Sequence, residues 1–157
     1  MNLAECVSGA RRDESVARLR RALAIRAMAA NGMSQQAIAR ELGVSQPAVS
    51  QALAASARVS GLDPELVLEA VSPVLKAVAE LRGFSDLAVF GSVARGEAGP
   101  ESDVDLIVRP PSDAQIADMV SLAQIFSEIV GRHVDVISYG ALKEGVDDDI
   151  RREMVRL

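Results

Sequence analysis

Apolar residues recur at helical spacing through the first third of the chain and at strand spacing further on. Val16, Leu19, Leu23 and Ala27 repeat every three or four positions, which predicts one face of a helix over 13–30. Asp13 and Glu14 suit its start and Asn31-Gly32 its stop. Ser34 then caps a second helix, with Met33 and Ile38 placed as a hydrophobic staple. Ser45 caps a third, with Val44 and Val49 repeating the staple and Pro47 in the first turn, where its missing N–H costs little. Leu42-Gly43-Val44 is a tight turn between the two.

Beyond these helices the pattern changes. Asp63-Pro64 starts a brief helix, and Ser72-Pro73 reads as cap and first turn of the next, over 73–81, ended by Gly83. An apolar strand, Leu87 to Phe90, runs into Gly91-Ser92, and ten residues later Asp103-Val104-Asp105 opens a second strand through Val108. Ser112-Asp113-Ala114-Gln115 reads as a capping box leading a helix to Val130, stopped by Gly131. The strand Val134 to Ser138 follows, and Asp147-Asp148-Asp149 begins a last helix, where acids favour the dipole.

Residues two apart on a strand share a face, so Asp103 and Asp105 project together while Val104, Leu106 and Val108 pack behind. Paired carboxylates repel, and a hard divalent cation between them keeps both ionised. Mg²⁺ completes its shell with phosphate oxygens, which points to a nucleoside triphosphate nearby. Gly91 permits close backbone approach to phosphate, and the Ser92 hydroxyl with neighbouring N–H groups can donate to its oxygens.

This run resembles the minimal nucleotidyltransferases of the polymerase-β-like superfamily, whose hallmark is Gly-Ser, ten residues, then Asp-x-Asp. Arg95-Gly96-Glu97 and Ser102 also resemble that family's usual residues, and the likeness runs from about Ser72 to Leu157. The resemblance implies a third carboxylate on the next core strand, which Asp135 fills. It further implies that Asp103 and Asp105 bridge two Mg²⁺ ions, and that Asp135 ligates the catalytic ion and acts as general base. Ser92 holds the terminal phosphates of ATP, and Arg95 clamps them or is an ordinary surface arginine. His133, in Gly-Arg-His, suits an exposed turn, and Tyr139 suits packing at a strand end.

The segment Gln35 to Leu53 resembles a DNA-binding helix-turn-helix. Ile38, Ala39, Leu42, Val44, Val49 and Leu53 fall where that motif packs its helices. Gln46, Pro47, Ser50 and Gln51 then sit at the front of the recognition helix, and Arg40 and Arg58 neutralise backbone phosphates. The alternative is a trihelical protein-interaction module.

Charge divides along the same line. Residues 1–60 hold eight arginines against four acids, +4, and residues 61–157 hold nine bases against eighteen acids, −9, so the whole-chain −5 hides a basic head on an acidic body. The single cysteine excludes an internal disulfide framework, and no apolar run approaches the ~18 residues of a membrane span. With no secretion signal at residues 1–10, the expected location is the cytoplasm.

The predicted architecture is two small domains: an all-α helix-turn-helix unit over 1–60, a connecting helix or linker over 61–71, and an α/β nucleotidyltransferase domain with a small mixed sheet over 72–157. By resemblance such a chain is the antitoxin of a toxin–antitoxin module. It would transfer AMP from ATP to a hydroxyl of a partner toxin, of the HEPN ribonuclease class, and repress its own operon, with paired operator half-sites making a homodimer natural. Two alternatives stay open: a transcriptional regulator whose transferase fold only binds nucleotide or sequesters a partner, and a small-molecule or RNA nucleotidyltransferase.

Overall fold

The computed structural model describes residues 1–157. Helix α1 spans Leu3–Ala30, α2 Gln35–Leu42 and α3 Gln46–Ser56, followed by a single 3₁₀ turn, Val59–Gly61. Helix α4 spans Pro64–Leu81, β1 Ser85–Phe90, α5 Gly91–Ala94, β2 Val104–Arg109, α6 Ile116–Val130, β3 Val134–Ser138, α7 Asp148–Glu153 and β4 Val155–Arg156. The strands form one mixed sheet in the order β3-β2-β1-β4, with β2 and β3 parallel and β1 antiparallel to both β2 and β4. The caps of α2 and α3 and the turn between them follow the predicted chemistry. Ser34 and Ser45 accept from the N–H groups of Ala37 and Ala48, and Gly43 is left-handed at φ 64°.

Three helix starts differ from expectation. Helix α1 begins ten residues before Asp13, because Asn2 and Glu5 form a reciprocal capping box at its true N-terminus. Helix α6 is capped by Gln115 with Asp118, not by Ser112. Helix α4 runs unbroken through Ser72-Pro73. Proline in a helix interior removes the bond to the carbonyl four residues back, here Glu69, at a cost of about 3 kcal/mol. Arg20 of α1 supplies the missing donor: its Nη2 donates to the Glu69 carbonyl, and its Nε donates to the neighbouring carbonyl of Ala70, each at 3.1 Å.

Helix α1 serves two cores. Val16, Leu23 and Ala27 join α4, α6 and the sheet in the main core, where Phe126, Leu75, Leu106 and Leu122 are fully buried. Ile25, on another face, packs with Ile38, Ala39 and Val49 in a small separate cluster. Leu53 packs against that cluster, but Leu42 and Val44 do not enter it and remain 44% and 46% exposed. The two short helices α2 and α3, with the one face of α1 they meet, leave the glycine turn uncovered on its outer side. No helix is long and apolar enough to cross a membrane.

Candidate active site on the acidic edge of the sheet

Register brings the carboxylates together. In the parallel β2–β3 pair Asp105 lies opposite Asp135 and Val104 opposite Val134, so Asp105 and Asp135 project from one face, and Asp103 precedes them at the strand entry. Val104, Leu106 and Val108 turn inward and are almost wholly buried, which fixes the opposite facing of the acids. Asp103 and Asp135 are exposed and Asp105 is half-buried.

On the other side of β2, Phe90 pairs with Asp105, and the chain turns immediately at Gly91, whose φ is 73°. A Cβ placed there would lie 2.3 Å from Asp105 Oδ2, so only glycine lets the turn lie against this carboxylate. Ser92 follows, half-buried, in the short helix α5. Ser102 Oγ accepts from the Gly99 N–H at 2.9 Å and closes the turn leading into Asp103.

Arg95 stands beside the edge between two acids. Its Nε donates to Glu97 at 2.9 Å and its Nη1 to Glu153 at 3.0 Å. The second Glu153 oxygen accepts the Gly91 N–H at 3.0 Å. Glu153 therefore ties the C-terminal helix to the Gly91 turn and to Arg95 together. The hydrogen bond from Arg95, and then that from Gly91, holds its carboxyl below the usual range. Asp105 is shifted upward, first by burial and then by the charges of Asp135 and Asp103. A carboxylate under that pressure is relieved by a cation, so the edge fits a divalent ion on its own chemistry.

Two of these residues escape a reading of sequence. His133 was expected in an exposed turn; it is exposed, but its Nε2 lies 2.9 Å from Asp135 Oδ1, and its ring nitrogen and the carboxylates of Asp103 and Asp135 lie within 4.8 Å of one another. Its place two residues before Asp135 is the signal that finds it, since alternate strand residues share a face. Glu153 carries no local signal, because its partners lie about sixty residues upstream. Tyr139 is remote from this chemistry: its hydroxyl donates to the Asp86 carbonyl at 2.8 Å, beside Arg109 at the far end of β2.

In the helical head, Arg40, Gln46, Pro47, Ser50 and Gln51 are all exposed, and Gln46 is hydrogen-bonded to Gln35 of α2.

Comparison with known proteins agrees with this geometry. Residues 71–157 match the nucleotidyltransferase domain model, and residues 15–66 match a homeodomain-like domain. Protein adenylyltransferase MntA of Thermococcus cleftensis is 32% identical over 94 residues, covering 57% of this chain and 95% of that protein. A provisionally named protein adenylyltransferase of Methanocaldococcus jannaschii is 33% identical over 73 residues, covering 46% of this chain and 78% of its own. A solved structure, provisionally described as a minimal nucleotidyltransferase, superposes with a TM-score of 0.55 at 31% identity, over 61% of this chain and 97% of that one. The chain belongs to the nucleotidyltransferase-domain family and carries a homeodomain-like helical domain ahead of its catalytic fold.

Proposed function

We propose that this protein is a cytoplasmic antitoxin and a protein adenylyltransferase: it transfers AMP from ATP to a hydroxyl of a partner toxin of the HEPN class and represses its own operon as a homodimer. Residues 1–60 would serve DNA and residues 72–157 catalysis, with 61–71 packed between them largely as part of α4 and the main core. The observation that supports the transferase reading is an acidic edge on which Asp105 lies opposite Asp135 and against the Gly91 turn, with Asp103 within 4.8 Å of Asp135. The names of the two relatives support the choice of AMP and of a protein acceptor.

Asp103, Asp105 and Asp135 would hold Mg²⁺, two ions in all, and bound ions neutralise charge on the α-phosphate and on departing pyrophosphate. Ser92 donates to the terminal phosphates, and Ser102 shapes the turn that delivers Asp103 to them. Arg95, oriented by Glu97 and Glu153, presents its remaining N–H groups to the phosphate tail. The toxin hydroxyl oxygen forms a bond to the α-phosphorus as the bond to the β-phosphate bridging oxygen breaks. The hydroxyl proton passes to Asp135.

ATP labelled at the α-phosphate is expected to label the purified partner toxin, and Asp103→Asn to abolish labelling while retaining operator binding. Absence of label, with the toxin still neutralised by the wild-type chain, would replace transfer by sequestration.

In the head, the exposed front of α3 supports base reading by Gln46 and Gln51, with Pro47 and Ser50 alongside and Arg40 on backbone phosphate. Each bidentate glutamine–adenine contact is worth about 1–3 kcal/mol. The Gln46→Ala, Gln51→Ala double variant is therefore expected to weaken an operator gel shift at least about tenfold. Unchanged affinity would remove both from the reading face.

A further inference from the structure

We propose that His133 is a nitrogen ligand to a divalent ion held on the acidic edge, and that it biases this edge toward Mn²⁺ over Mg²⁺. The inference rests on the nucleotidyltransferase reading and adds to it a residue that the Gly-Ser and Asp-x-Asp pattern does not contain.

The placement follows from strand register. Asp105 faces Asp135, and Val104 faces Val134. One step back along both strands the same parallel pairing sets Asp103 beside His133, and the Val104 N–H donates to the His133 carbonyl at 3.0 Å. Asp103, Asp105, His133 and Asp135 thus form two rows of two on one face. Two atoms bound at right angles to one octahedral ion at ~2.1 Å lie ~3.0 Å apart. His133 Nε2 and Asp135 Oδ1 are 2.9 Å apart, a spacing that serves a hydrogen bond without the ion and adjacent ligation with it.

The fold gives this imidazole no other task. Its side chain is 62% exposed and contributes nothing to the core, and an exposed contact with Asp135 adds little to stability. Coordination through Nε2 requires the proton on Nδ1, and the ring's exposure leaves Nδ1 free to hold it toward solvent. The consequence lies in metal choice. Mg²⁺ prefers an all-oxygen shell and dehydrates reluctantly; Mn²⁺ shares its preference for carboxylate and phosphate but, as a first-row transition ion, takes an imidazole nitrogen more readily than Mg²⁺ does.

His133 is the only histidine in the chain, so a bound imidazole nitrogen has one possible source. The test is pulsed electron paramagnetic resonance on the full chain, prepared without a polyhistidine tag and loaded with Mn²⁺. A directly coordinated ¹⁴N signal is expected in the wild type and its loss in His133→Asn. Calorimetric titration with Mn²⁺ and with Mg²⁺ is expected to show the Mn²⁺ preference falling about tenfold in His133→Asn, with Mg²⁺ affinity nearly unchanged. Mn²⁺ bound without a ¹⁴N signal, or an unchanged preference, overturns the role of His133 and leaves the acidic edge standing. Wild-type affinity for Mn²⁺ no greater than that of Asp103→Asn overturns the metal edge itself, and His133 with it.

Discussion

Asp105→Asn is expected to abolish nucleotidyl transfer and, at the same time, to raise the melting temperature of the metal-free protein. Asp105 is half-buried, and burial followed by the charges of Asp135 and Asp103 raises its pKa. A carboxyl whose folded pKa lies above its unfolded value binds its proton more tightly in the folded state. Its effect on stability is therefore most favourable in acid and is lost as pH rises from about 3.8 through the raised value. At neutral pH the ionised group opposes folding. Asparagine keeps the shape and drops the charge, and because the side chain is only partly shielded the expected gain is modest, about 0.5–1 kcal/mol or a few degrees. The catalytic loss is far larger, since ion-mediated charge stabilisation of several kcal/mol corresponds to about a thousandfold in rate. Thermal melts between pH 4 and pH 8 in chelator, set beside the labelled-ATP assay, read both effects. Divalent ion should raise the melting temperature of the wild type more than that of the variant. A variant that melts lower than wild type in chelator would show that this carboxylate is not strained, and one that keeps transfer within tenfold would show that it is not a ligand.

Local chemistry carried most of what the chain reveals before folding. The serine caps at Ser34 and Ser45 and the left-handed turn at Gly43 each depend on neighbours within a few residues, and they are where the sequence puts them. So is the facing of Asp105, because the period of a strand is fixed and Val104, Leu106 and Val108 demand burial; Asp103, one residue before β2, reaches the same edge beside Asp135. Where a distant group decides the outcome, local reading fails. Ser72-Pro73 has the form of a helix start, yet Arg20 reaches across from α1 to bond the carbonyl that Pro73 leaves without a donor. Glu153 meets Gly91 and Arg95 only because β4 pairs with β1 and returns the end of the chain to the turn. The exposure of Leu42 and Val44 likewise depends on how far α1 covers the small helices, which no pattern within residues 35–53 encodes. His133 escapes local reading although its parity with Asp135 marks it, because its neighbours Gly131 and Arg132 resemble a plain turn.

Gly91→Ala is expected to remove transfer as completely as loss of a metal ligand, from a single methyl group that touches no phosphate. Two effects act at this position. An alanine at φ 73° pays about 1–2 kcal/mol for the left-handed backbone, and its Cβ would lie 2.3 Å from Asp105 Oδ2 and 3.3 Å from Asp105 Cγ. Relief of the overlap must move either the carboxylate or the turn. The turn is held by the pairing of Phe90 with Asp105 and by the Gly91 N–H bond to Glu153, so the carboxylate swings out of line with Asp135. Gly96 supplies the control. Its φ is 70°, almost the same strain, but a Cβ there meets only Glu65 Oε1 at 3.7 Å, an ordinary contact. Gly96→Ala should therefore lose comparable stability and keep transfer within a fewfold, while Gly91→Ala loses about a thousandfold together with divalent-ion affinity. Operator binding should survive in both, because the Ile25, Ile38, Ala39 and Val49 cluster beneath α3 is separate from the sheet. Equal losses of transfer in the two variants would assign the defect to backbone strain alone and would deny the close approach of Gly91 to Asp105 any part in building the site.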